Sequence, residues 1–74
     1  MEILNKRLRD TREDKDLTQQ EIAVILGMKY QQYQNYESGK REMPLHHLKT
    51  LCKFYNITAD YFLGFTKDQT PIKK

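Results

Sequence analysis

Four side chains in one short stretch, Tyr30, Gln31, Gln34 and Asn35, offer more hydrogen-bonding capacity than a helical segment needs in order to fold. The run Tyr30-Gln31-Gln32-Tyr33-Gln34-Asn35-Tyr36 is polar and aromatic, with hardly an aliphatic group. Tyr33 and Tyr36 lie three apart, share one helical face and read as packing groups. Tyr30, Gln31, Gln34 and Asn35 then face elsewhere. Amides both donate and accept, and cores avoid them unpaired. This face is therefore either solvated or built to hydrogen-bond a partner.

Other reactive side chains support less. His46 and His47 are adjacent, so a helix points them in different directions, and no cysteine or acidic residue lies at ligand spacing. No metal site is expected, since structural zinc wants four ligands. Cys52 falls on an apolar stripe and reads as a small core residue. As the lone cysteine it forms no internal disulfide and suits a reducing compartment. The sequence has no glycine-rich phosphate loop, no carboxylate pair in an apolar setting and no Ser/His/Asp arrangement. It does not read as an enzyme, and no cofactor or small-molecule ligand is implied. The formal charge of +3, from 13 basic and 10 acidic residues, says little until the basic side chains are placed.

The elements that must position the amide face are short. Seventy-four residues make one domain with a modest core. Ile3, Leu4 and Leu8 set an amphipathic first helix over about 2–15, whose other face carries Lys6, Arg7, Arg9, Asp10, Glu13 and Asp14, most of them read as solvated charges. Thr18-Gln19-Gln20-Glu21 fits a capping box, and Ile22, Ala23, Ile25 and Leu26 follow in a second helix that Gly27 stops. The third helix starts near Lys29 or Tyr30 and ends at Ser38-Gly39. Pro44 suits the first position of a fourth, with Leu45, Leu48, Leu51, Cys52 and Tyr55 as its inward stripe. Thr58 is the expected cap of a short fifth helix, Ala59 to Leu63, closed by Gly64. Residues 1–66 form the domain and 67–74 a flexible tail. No stretch alternates with period two, so the fold is all-α with five helices. With no signal peptide and no apolar run near the roughly 20 residues of a membrane span, a cytoplasmic protein without membrane contact is expected.

Two short helices joined by a tight glycine turn make a helix-turn-helix, whose second helix enters a DNA major groove. Ala23 is small where the helices cross, Gly27 supplies the turn and Tyr33 points inward. The run Leu17-Thr18-Gln19-Gln20-Glu21-Ile22-Ala23, then Leu26-Gly27-Met28, Tyr36-Glu37-Ser38-Gly39-Lys40-Arg41 and Pro44, continues through Ile57 and Asp60 to Gly64. Over this span the chain resembles the XRE-type, lambda-repressor-like helix-turn-helix family of bacterial and phage regulators.

The resemblance implies a compact five-helix domain that binds double-stranded DNA and acts as a small transcriptional regulator of repressor type. It assigns base-edge contacts to Tyr30, Gln31 and Asn35, with Gln34 beside them. Gln and Asn suit bidentate bonding to adenine. It assigns phosphate contacts to Gln19, at the start of the second helix, and to Lys29, Ser38, Lys40 and Arg41. Arg12 and Glu37 match a buried ion pair tying the first helix to the end of the third. The chain departs from the family pattern at Lys29, where a small hydroxyl residue often caps the recognition helix, at Tyr30, and at Thr11, where a larger aliphatic group is usual. Family operators are commonly palindromes read by a symmetric dimer. No separate oligomerisation domain follows Gly64, so a homodimer would form through the domain itself. Tyr61 and Phe65 are either dimer contacts or core closures. An antitoxin-like module that also binds a toxin is the alternative, and a protein-interaction module that has lost DNA binding is a third reading.

Overall fold

The computed structural model describes residues 2–69 and 71. The tail expected at 67–74 thus falls partly outside the described residues. Five helices follow in order: α1 (Glu2–Asp14), α2 (Gln19–Leu26), α3 (Tyr30–Ser38), α4 (Leu45–Tyr55) and α5 (Ala59–Leu63). Among the described residues there is no strand. None of these helices is long and apolar enough to cross a membrane.

Each boundary has a local cause. Thr18 caps α2 through a full capping box, its hydroxyl accepting from the Glu21 N–H at 3.1 Å while its own N–H donates to Glu21 Oε1 at 2.9 Å. Gly27 ends α2 in the left-handed region at φ 70, where its N–H and that of Met28 bond back into the last turn. Pro44 stands at the cap of α4 rather than inside it, its carbonyl accepting from His47 and Leu48. Thr58 does not cap α5. Its side chain makes no cap hydrogen bond, and its hydroxyl is buried without a partner.

One core joins the five helices. Leu4 and Leu8 from α1 meet Ile22 and Ala23 from α2, Tyr33 and Tyr36 from α3, Leu48, Leu51, Cys52 and Tyr55 from α4, and Phe62 from α5. α2 packs on α3, α1 on both α3 and α5, and α4 on α2 and α5. Thr11 is fully buried on the inner face of α1, its hydroxyl without a hydrogen-bond partner. Burial pushes the Cys52 thiol pKa up.

Three further expectations need correction. Leu45 is 75% exposed rather than part of the inward stripe. It is the first residue of α4, at the open end of the helix and at the margin of the arc formed by Leu48, Leu51, Cys52 and Tyr55. Arg7 is not a solvated charge. It crosses to α5, where its Nη1 donates to the carbonyls of Tyr61 and of Thr66, the latter at 2.6 Å, and its guanidinium lies 4.3 Å from the Tyr61 ring centroid. Carbonyls that come together where α5 ends and the chain runs on suit a cation with several donors. His46 and His47 do not diverge: their ring centroids are 4.1 Å apart. His47 is the more enclosed, and burial first, then the neighbouring His46, lowers its pKa. Among the described residues no cluster of histidine, cysteine or carboxylate groups could hold a metal ion.

Candidate nucleic-acid interface

The arrangement of α3 follows from its own periodicity. Tyr33, Tyr36 and Glu37 are buried, and they anchor one side of the helix. Stepping about 100° per residue, Tyr30, Gln34, Ser38, Gln31 and Asn35 fill an opposite arc of about 140°. Tyr30, Gln31, Gln34 and Ser38 are exposed, and Asn35 is half-buried. The buried tyrosines thus fix which way the amides point.

Cations flank this arc at both ends. Lys29 is the cap residue of α3 and makes no side-chain cap hydrogen bond, so its ammonium is not used in closing the helix. Gly39 takes φ 85 at the other end, and the chain turns back so that the Arg41 N–H donates to the Asn35 carbonyl at 3.2 Å. That carbonyl also accepts from Ser38 Oγ at 3.2 Å. Lys40 and Arg41 are both exposed beside the end of α3. A shallow groove of about 430 Å³ runs along this side, lined by Lys29, Gln31, Gln32, Asn35, Tyr36 and Arg41. Its walls combine amide donors and acceptors with two positive charges, which suits an anionic, hydrogen-bonding partner.

Beneath the surface lies a charged network. Glu37, 7% exposed, accepts from Arg12 Nε at 2.7 Å and Nη2 at 3.1 Å, and from Gln19 Nε2 at 3.0 Å. Arg12 Nη1 donates to the Leu17 carbonyl at 2.8 Å. One arginine therefore ties α1, the loop before α2 and α3 together. Burial alone would raise the Glu37 pKa, but the hydrogen bonds, led by that from Arg12, more than reverse this and hold it below the ordinary value. Arg12 is raised in turn, mainly by its bond to Glu37. The Tyr33 hydroxyl lies near this carboxylate but outside hydrogen-bond geometry, and burial, then Glu37, drives its pKa far upward.

Two features escaped sequence reading. Gln32 is exposed and lines the groove; its place three residues after Lys29 on one helical face was the available signal. Gln19 bonds Glu37 across eighteen residues, which no local spacing reveals. Of the apolar residues considered for self-association, Tyr61 is half-buried beneath Arg7 and takes a 3.3 Å hydrogen bond from Gln69, whereas Phe65 is 79% exposed.

A family model described as helix-turn-helix matches residues 8–62. The chain belongs to the XRE-type helix-turn-helix family. Its five helices are the lambda-repressor-like fold of that family, with α2 and α3 as the helix-turn-helix. Similar helix-turn-helix proteins include YobD of Bacillus subtilis, an HTH-type transcriptional regulator, 35% identical over 89% of this chain and 59% of its own length. RstR of Vibrio cholerae, a transcriptional repressor of the cryptic phage CTXphi, is 33% identical over 74% of this chain and 50% of its own. BcrR of Enterococcus faecalis, an HTH-type transcriptional activator, is 34% identical over 81% of this chain and 29% of its own. The chain spans from about a third to three fifths of the length of these relatives. No solved structure matches it at comparable significance.

Proposed function

We propose that this chain binds double-stranded DNA sequence-specifically, with α3 lying in the major groove, and thereby regulates transcription. The outward arc of Tyr30, Gln31, Gln34 and Asn35 between the cations of Lys29, Lys40 and Arg41 carries this reading. A helix that turns amides to solvent on one side and buries tyrosines on the other fits base edges with its exposed face. Gln31 and Asn35 take the base contacts, with Gln34 and Tyr30 beside them. Lys29, Ser38, Lys40, Arg41 and Gln19 take the phosphates, which fix the register. Arg12 and Glu37 serve structurally, holding α3 against α1.

Repression is the favoured direction, through occupancy of an operator by a cytoplasmic protein. It is supported by likeness to RstR, although BcrR is an activator. A module this small spans few base pairs, so a homodimer on a palindromic site is the natural arrangement. Phe65 is its best contact, because Tyr61 is already engaged with Arg7.

Selection of bound duplexes from a random pool tests the whole reading. Enrichment of a two-fold-symmetric sequence is expected, and a pool with no enriched sequence at low salt overturns it.

A further inference from the structure

We infer that Glu37 is a positioning residue for DNA contact, orienting the Gln19 amide at the start of α2 through the carboxylate it shares with Arg12. The inference rests on the reading of Gln19 as a phosphate contact. The geometry is specific. Glu37 Oε1 accepts from Gln19 Nε2 at 3.0 Å and from Arg12 Nη2 at 3.1 Å, while Oε2 takes Arg12 Nε at 2.7 Å. Glu37 is buried, and Gln19 is half-buried at the start of α2.

An ionised carboxylate has no proton to donate. The group Gln19 turns toward it must therefore be its NH2, not its carbonyl. One N–H is consumed by Glu37, and the second remains available to another acceptor. A phosphate oxygen accepts and does not donate, so this orientation is the one that can bond it. A free Gln19 would also present its carbonyl oxygen, which repels phosphate. Glu37 thus resolves an ambiguity built into every glutamine. Its ionisation is secured by Arg12, which adds the two hydrogen bonds that hold the carboxylate charged. The ion pair that joins α1 to α3 also aims a side chain on α2.

Two measurements test this, the first on the unaltered protein. The side-chain amide order parameter of Gln19, measured by NMR on the free protein, should approach backbone values, well above those of Gln20, Gln31 and Gln34. A Gln19 amide as mobile as those three overturns the inference. The second is a double-mutant cycle on a duplex taken from the random-pool selection. Gln19→Ala should weaken binding about tenfold in the wild-type background. In the Glu37→Gln background it should weaken binding less than about threefold, because a glutamine at position 37 has one acceptor oxygen for three N–H groups, two from Arg12 and one from Gln19. The cycle cancels the extra positive charge that Glu37→Gln leaves on Arg12. Equal losses in both backgrounds overturn the positioning role. A Gln19→Ala variant that binds like wild type, where Gln31→Ala does not, removes Gln19 from the interface and the inference with it. If no duplex is bound at all, the DNA reading fails, while the order parameter still decides whether Glu37 holds Gln19.

Discussion

The Arg12 guanidinium meets the Glu37 carboxylate side-on, with Nε–Oε2 at 2.7 Å and Nη2–Oε1 at 3.1 Å, so that the end of α1 is joined to the last turn of α3. Both side chains are nearly enclosed, at 11% and 3% exposure. α3 carries few aliphatic groups of its own, because most of its surface is given to amides. The two buried tyrosines and this ion pair therefore fix its orientation, and the direction of the amide face follows from them.

Removing one partner should be costly, because the other is then left buried with an unpaired charge. Arg12→Met is expected to destabilise the domain by about 3 to 5 kcal/mol, a large share of what a small domain has. The pH dependence has a defined sign. The Glu37 carboxyl lies below its ordinary value of 4.5 in the folded state. Its stabilising contribution is thus complete above that value and is lost as pH falls through the folded value. Urea denaturation from neutral pH down to about pH 3 should show wild type losing stability on the acid side and Glu37→Gln losing less. Parallel curves would remove Glu37 from the acid response.

Much of this was legible in the sequence, for local reasons. The capping box at Thr18 and Glu21, the glycine stops at 27, 39 and 64, and the inward spacing of Tyr33 and Tyr36 are all short-range signals, and each has its counterpart in the structure. Features that depend on how helices meet in space were not legible from local spacing. Arg7 leaves the charged face of α1 because α5 ends beside it, and Gln19 is held by a residue eighteen positions away. Leu45 kept its place in a one-dimensional stripe but lost it in three dimensions, since its end of α4 is left uncovered. Even Thr58, a good cap by type, turned its hydroxyl inward.

The turns at Gly27 and Gly39 separate two costs of a side chain. Both glycines adopt positive φ, at 70 and 85. A Cβ at Gly27 would meet nothing within 4 Å, so Gly27→Ala should cost only the left-handed conformation, about 1 to 2 kcal/mol. At Gly39 a Cβ would lie 2.7 Å from Asn5 Nδ2, which must move as well. Gly39→Ala should therefore be the more destabilising of the two by thermal melting, and in an Asn5→Ala background the difference should disappear. A Gly39→Ala variant no less stable than Gly27→Ala would show that Asn5 yields freely.

Base and phosphate contacts should respond differently to substitution. Gln31→Ala is expected to lose about 1 to 3 kcal/mol on the selected site and little on a shuffled duplex. Lys40→Ala should weaken both duplexes alike and lower the slope of log affinity against log salt by about one. The comparison needs fluorescence anisotropy titrations at two or more salt concentrations. Equal effects of Gln31→Ala on the two duplexes would take Gln31 out of base reading.

Self-association should depend on Phe65 more than on Tyr61. The Tyr61 ring lies under the Arg7 guanidinium and packs edge-on against Phe62, so its truncation disturbs the fold before any interface. Phe65, at 79% exposure, touches little that folding needs. Phe65→Ser should leave the melting temperature within a few degrees at low protein concentration, since surface changes usually lie within about 0.5 kcal/mol. On a palindromic duplex it should convert cooperative occupancy of the two half-sites into independent binding. Sedimentation velocity of the complexes distinguishes one from two bound protomers at limiting protein. Unchanged cooperativity in Phe65→Ser would place the contact between protomers elsewhere on the domain, and a single protomer bound by wild type at saturation would exclude the dimer.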